Sequence, residues 1–182
     1  FFADADPYLL GHKALAVNLS DLAAMGAEPK WFTLALTLPN TNPEWLKAFS
    51  AGLLNLAQQH SIQLIGGDTT AGPLSISISV LGQVPAQHAL KRNGAQTDDD
   101  IWVTGPLGLA HLGLQHLQGN IRLADGDMHR CLQALHQPQA KVAIGLALRG
   151  IAHAAIDISD GLLADLRHIL TTSNKGARLE WD

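Results

Sequence analysis

Apolar residues recur at helical spacing from Leu9 to Met25, and the run stops at Gly26, a residue suited to the turn past a helix end. A strand is expected from Trp31 to Leu38, with Leu34, Leu36 and Leu38 on one face and Thr33 and Thr37 on the other. Asn42-Pro43 places a capping side chain before a proline at the first helical position, and opens a helix to about His60. Gln63 to Ile65 reads as a short strand that runs into Gly66-Gly67. From Leu74 to Val80 the alternation is strict, with Leu74, Ile76, Ile78 and Val80 set against Ser75, Ser77 and Ser79. That pattern predicts a strand with one buried face and one small polar face.

The polar stretch from Pro85 to Asp100 is the best boundary, which divides the chain into residues 1–88 and 89–182. Beyond it the pattern predicts a strand over Ile101–Thr104, a turn at Gly105-Pro-Leu-Gly108, and helices over Leu109–Leu117, Met128–Leu135 and Val142–Arg149. A strand over Ala154–Ile158, a helix over Leu162–Leu170 and the start of a strand at Arg178–Glu180 follow. Strands alternating with helices make an α/β (α+β) fold.

Composition agrees with a folded chain. Of its 182 residues 47% are hydrophobic and 15% charged, enough apolar matter for a core. The net charge of −4, with no basic stripe, argues against nucleic acid as a partner. No apolar run reaches the ~18 residues of a membrane span. A single cysteine, Cys131, leaves no internal disulfide and reads as a small buried helix residue. The nine histidines are scattered, without zinc spacing.

The candidate chemistry lies in short polar signatures. Asp68 follows Gly66-Gly67, where the backbone can turn and approach a ligand, and Thr69-Thr70 add hydroxyls. An ordinary glycine turn closed by the aspartate accounts for the same residues. Asp21, beside Ser20, sits toward the C-terminal end of an apolar helix, where a carboxylate is disfavoured unless a cation compensates it. Asp157 and Asp160 flank Ser159 at a strand end before Gly161, where both can aim at one cation. Ser159 or Asp160 serves equally well as the N-cap of the next helix. Arg92, in a polar loop, can pair bidentately with a phosphate, or stand solvated. Gly105 and Gly108 could seat a phosphate at a helix start. Aspartates gathered by folding bind Mg²⁺, which usually arrives with nucleotide phosphates, so the chain reads as an ATP-using phosphoryl-transfer protein. It has no Walker A pattern, no protein-kinase signatures and no G-x-S-x-G elbow.

Taken in order, Lys13-Ala-Leu-Ala-Val-Asn-Leu-Ser-Asp-Leu-Ala-Ala-Met-Gly-Ala27, Leu64-Ile-Gly-Gly-Asp-Thr-Thr70, Ala89-Leu-Lys-Arg-Asn-Gly-Ala95, Ile101-Trp-Val-Thr-Gly105 and Ile156-Asp-Ile-Ser-Asp-Gly-Leu162 resemble the thiamine-monophosphate kinase family. The family shares a superfamily with aminoimidazole-ribonucleotide and selenophosphate synthetases. The resemblance implies a two-domain chain whose N-terminal mixed sheet pairs across a homodimer, with ATP in a cleft formed with the partner. It implies transfer of the ATP γ-phosphoryl group to thiamine monophosphate, giving thiamine diphosphate, in the cytoplasm. By position, Asp21, Asp68, Asp157 and Asp160 would hold Mg²⁺ ions, and Gly67, Asp68, Arg92 and Ser159 would contact ATP. Asp68 and Asp160 are the residues most directly implied in the transfer.

The chain departs from the family pattern in places. The family's earlier Gly-Asp-Asp motif and the His of its His-Phe pair precede Phe1, and its later Gly-Gly-Glu-Asp motif and substrate-facing aromatic follow Asp182. Asp98 replaces a usual Gly, and Lys141 stands where Arg is frequent. The expectation is that these 182 residues alone are inactive, with residues 1–88 an ATP- and Mg²⁺-binding dimerisation domain and 89–182 the first half of an incomplete α/β domain. Alternatives are another ATP-dependent member of the superfamily, or a non-catalytic module that dimerises and binds nucleotide weakly or not at all.

Overall fold

A computed structural model describes residues 5–180. Phe1-Phe2, where the resemblance places the end of the family's His-Phe pair, lies outside them. The first helix, α1 (Pro7–Ala24), starts two residues before the expected position. Asp6 caps it by accepting the Leu9 N–H at 3.0 Å, and Pro7 takes the first helical position. It ends as expected. Gly26 adopts φ +61°, its N–H bonds to the Ala23 carbonyl, and the Ala27 N–H reaches the Leu22 carbonyl, a Schellman closure.

Strand β1 (Glu28–Leu38) lies at the centre of a three-stranded sheet between β2 (Gln63–Ala71), parallel to it, and β3 (Ser75–Gln83), antiparallel. Helix α2 (Pro43–Gln59) makes the crossover that a parallel pair requires. Asn42 caps it by accepting the N–H groups of Glu44 and Trp45. Phe32, Leu36 and Leu38 of β1 are buried with Leu15, Leu19, Phe49 and Leu53 of the two helices, and Ile76, Ile78 and Val80 pack against that cluster. Helices α1 and α2 touch backbone to backbone. A Cβ at Gly11 would lie 2.1 Å from the Phe49 carbonyl oxygen, and one at Gly52 would lie 1.9 Å from that of Tyr8.

The alternation expected for β1 and β3 is present. Thr33 stands opposite Ser79, Ala35 opposite Ser77 and Thr37 opposite Ser75, and these small residues make the face away from the helices. Strand β1 starts three residues earlier than expected. Its Pro29 is accommodated by a register shift before Trp31, the kind of irregularity that admits proline to a strand.

Strand β2 corrects a larger misreading. It does not stop at Ile65 but runs through Gly66-Gly67 and Asp68 to Ala71. Phe32 pairs with Leu64 and Thr33 with Gly66, so Ile65 is an extra residue that forms a bulge, and Gly66 and Gly67 pair in register just beyond it. Gly67 has φ +149°, and a Cβ there would lie 1.8 Å from the Leu34 carbonyl oxygen, so a glycine is required by the strand itself.

In the second half, α3 (Leu109–Leu117), α4 (Asp125–His136), α5 (Val142–Ala147) and α6 (Leu162–Ser173) match the expected helices to within a few residues. Cys131 is buried on α4, and Val142 of α5 joins the core of the first half. Segments 101–104, 154–158 and 178–180 are not strands. Their β-favouring residues prescribe an extended chain, whereas a strand also needs a partner ladder. Trp102 in the first of them is 87% exposed. No helix among the described residues is long and apolar enough to cross a membrane.

Candidate functional site

Three separate segments meet beside the C-terminal end of α1. The first is α1 itself, which presents Asp21 on its last turns. The second is the loop that carries Lys91 and Arg92. The Leu90 N–H bonds to the Met25 carbonyl at 3.1 Å, which fastens this loop to the helix end. The third is the segment that leads to Asp157. The Ala155 N–H bonds to the Lys91 carbonyl at 3.0 Å and joins the second segment to the third. Asp21, Arg92 and Asp157 line one open pocket of about 710 Å³, with Lys91 and Thr172 on its wall. Asp157 is also on the wall of an adjoining cleft of about 930 Å³, which Ser20, Ser159, Asp160, Gly105 and Lys141 help to line.

The electrostatics of the pocket follow from this meeting. The Asp157 carboxyl is pushed above its ordinary value, first because it is partly buried and then because the Asp21 charge is close. Arg92 opposes the shift from the other side. The Asp21 carboxylate, unfavourable at a helix C-terminus, thus has a cationic neighbourhood on the loop that the helix end anchors.

Helix α6 holds two of these segments. At its C-terminal end Ser173 Oγ donates to the Arg92 carbonyl at 3.1 Å and accepts the Ala95 N–H at 3.2 Å. Thr172 Oγ1 is 3.0 Å from the same carbonyl oxygen. At its N-terminal end Asp165 accepts the N–H groups of Ser159, Asp160 and Gly161. Neither Ser159 nor Asp160 caps α6. Its N-cap is Gly161, without a side-chain bond, so the capping alternative for this turn fails. Asp165, Thr172 and Ser173 escaped the sequence reading. An aspartate four residues past Gly161 and hydroxyls at a helix end look like ordinary solvated groups until the loops they hold are in place.

The structure gathers Asp21, Arg92 and Asp157 in one pocket and puts Ser159 and Asp160 in the next. It does not bring Gly67 and Asp68 to either wall. Asp68 is exposed on β2, where its Oδ1 accepts the Thr69 N–H at 2.8 Å. Thr70 Oγ1 is 3.0 Å from Thr37 Oγ1 across the strand pair. Among the described residues, no three acidic, histidine or cysteine side chains stand close enough to enclose a metal ion by themselves.

This donor set fits Mg²⁺ in kind. Its groups are carboxylate and hydroxyl oxygens, and Asp157 is held near Asp21 at a cost that positive charge relieves. Mg²⁺ keeps several waters and takes one or two carboxylates plus substrate phosphates, so a protein cage of three ligands is not required.

Residues 1–84 match the family described as AIR synthase related protein, N-terminal domain. That span holds the mixed sheet and the two helices that back it, α1 and α2. Along its whole length the chain is 51% identical to the thiamine-monophosphate kinase of Salmonella typhimurium, covering 100% of this chain and 56% of that protein. The crystal structure of thiamine-monophosphate kinase from Stenotrophomonas maltophilia K279a superposes with a TM-score of 0.92 at 50% identity, covering 96% of this chain and 57% of that one. A solved structure of AaThiL complexed with AMPPCP and TMP superposes with a TM-score of 0.88 at 28% identity, covering 96% and 56%. The chain is thus similar to thiamine-monophosphate kinases along its whole length, and spans slightly more than half the length of these relatives.

Proposed function

We propose that this chain carries the phosphate- and metal-binding half of an ATP-dependent kinase that converts thiamine monophosphate to thiamine diphosphate in the cytoplasm. The observation that carries the reading is the convergence of Asp21, Arg92 and Asp157 on one pocket from three distant segments, in a chain 51% identical to a thiamine-monophosphate kinase.

In this reading Asp21, Asp157 and Asp160 would hold Mg²⁺, and Ser159 would contact ATP. Arg92 pairs with phosphate oxygens as a planar fork. Gly67 and Asp68, exposed on β2 and outside both pocket walls, would contact ATP in a cleft completed by a partner copy. Mg²⁺, when bound, neutralises phosphate charge. The protein groups hold donor and acceptor in line and keep Arg92 fixed to α6 and α1. The acceptor oxygen of thiamine monophosphate forms the new bond to the γ-phosphorus while the bond to the ADP oxygen breaks, so transfer depends on placement and charge more than on a protein nucleophile. The small face of β1 and β3, with Ala35, Ser75, Ser77 and Ser79 exposed, suits close approach of a second copy in a homodimer.

The test is a turnover assay on the full-length protein with Mg²⁺ and ATP, offering in turn thiamine monophosphate, formylglycinamidine ribonucleotide and selenide. Formation of thiamine diphosphate with ADP is the expected result. ATP consumption with another acceptor, and none with thiamine monophosphate, would overturn the reading.

A further inference from the structure

Among the described residues Asp165 is the one charged side chain that is buried, at 3% exposure. A buried carboxylate persists where polar partners replace water. Here one oxygen, Oδ2, accepts three consecutive backbone N–H groups, from Ser159 at 3.0 Å, Asp160 at 3.1 Å and Gly161 at 3.1 Å. Gly161 adopts φ +112°, a conformation side chains rarely take, and the turn folds back over the start of α6. The Asp165 N–H in turn bonds to the Gly161 carbonyl at 3.0 Å, so residue and turn are locked in both directions. The positive end of the helix dipole favours a carboxylate at this place.

We propose that Asp165 is a positioning residue: it occupies the amide nest of the Asp157–Gly161 turn and thereby fixes the turn with its side chains, and not its amides, presented to the Mg²⁺–ATP site. The inference rests on the function proposed above. Three successive amides form a concavity that in many nucleotide-binding loops takes a phosphate. In this chain an internal carboxylate fills that concavity, which leaves no free donor there for a nucleotide. Asp157, Ser159 and Asp160 remain on the cleft wall. The turn is thus committed to oxygen ligands, and through them to a cation. Without Asp165, the three amides lose their common acceptor and the two aspartates lose their fixed spacing.

The test uses the full-length protein with Asp165→Ala and Asp165→Asn. The asparagine variant keeps the volume and one acceptor oxygen but loses the charge. The Mg²⁺ concentration for half-maximal rate should rise about 10- to 100-fold in Asp165→Ala, and less in Asp165→Asn, as for residues that orient metal ligands. The KM for thiamine monophosphate should stay near the wild-type value, a split that simple loss of folded protein does not produce. Two readouts need no turnover. The rise in Tm caused by Mg²⁺ alone should shrink, and hydrogen exchange at the amides of Ser159, Asp160 and Gly161 should accelerate selectively. If Asp165→Ala does not fold, Asp165→Asn carries the same readouts. Folded variants with wild-type Mg²⁺ dependence and unchanged exchange at these amides would overturn the proposal. A wild-type protein that leaves thiamine monophosphate untouched overturns the proposed function instead, and the exchange and Tm measurements still judge Asp165.

Discussion

The two halves of this chain are built by different means. Residues up to β3 close one core, in which α1 and α2 cover a single face of the sheet. Beyond β3, the buried apolar side chains among the described residues are Leu90, Cys131, Val142 and Leu166. The second half is instead tied down by polar bonds at chosen points: Leu90 to Met25, Ala155 to Lys91, Ser173 to Arg92 and Asp165 to its turn. The pocket forms where the polar half is fastened to the end of α1. Burial supplies the rigid platform, and hydrogen bonds place the groups that act.

The largest effects should separate the halves by what each substitution damages. Phe32 is fully buried at the centre of the first half, and Phe32→Ala should cost about 3–5 kcal/mol through lost transfer energy and a cavity. The same kind of truncation at Leu166, on α6, should cost about 2 kcal/mol, because fewer apolar neighbours surround the hole. Urea unfolding of both variants checks the ordering, and equal losses would erase the distinction. In the full-length protein, Asp68→Asn preserves shape and removes one charge. The kcat should fall by about 100-fold or more with little change in Tm, if Asp68 holds charge at the transferring phosphoryl group. Ordinary activity would remove Asp68 from the site and leave β2 a structural strand.

Arg92→Ala should be milder. If the guanidinium touches only phosphates that are not transferred, the KM for ATP should rise about 10-fold while kcat changes less. Steady-state kinetics at saturating Mg²⁺ gives both numbers.

The smallest effects concern pH. Burial lowers the His60 pKa below its ordinary value of 6.5, and the His12 charge lowers it further. Burial also lowers that of His136, with a smaller contribution from Lys13. A lowered folded value means that the stabilisation is present above the ordinary value and is lost as pH falls through the folded one. Thermal unfolding should therefore weaken between about pH 7 and 5, and His60→Gln should flatten part of that slope. Asp157 acts in the opposite sense. Its raised carboxyl stabilises the fold at pH below its ordinary range, and that contribution is lost as pH rises through the raised value. A metal-free protein at neutral pH carries that cost, and Mg²⁺ should relieve it.

Much of this architecture was legible along the chain. The helical spacing of α1, the Asn42-Pro43 start of α2 and the serine alternation of β3 are local signals, and each agrees with the packing. The extent of β2 was not legible. Gly66-Gly67 signals a turn, and only the register with β1 carries the strand on through it, past a bulge at Ile65. Segments 101–104 and 154–158 misled for the reverse reason, since their composition favours extension but pairing is a tertiary fact. In the site, the aspartates and Arg92 stood out as motifs. Asp165, Thr172 and Ser173 did not, because their partners are backbone groups that come near only after folding. The separation of Asp68 from Asp21 also lies beyond the motifs, which record order along the chain and not distance.

In the proposed function Asp21 and Asp157 share one cation beside Arg92. A double-mutant cycle on the full-length protein, with Asp21→Asn and Asp157→Asn alone and together, tests it by calorimetric titration of Mg²⁺ in the presence of a non-hydrolysable ATP analogue. The account predicts strong non-additivity, with the second substitution costing much less once the first has been made. Losses that simply add would show that the two carboxylates serve separate sites, and would contradict the pocket described here.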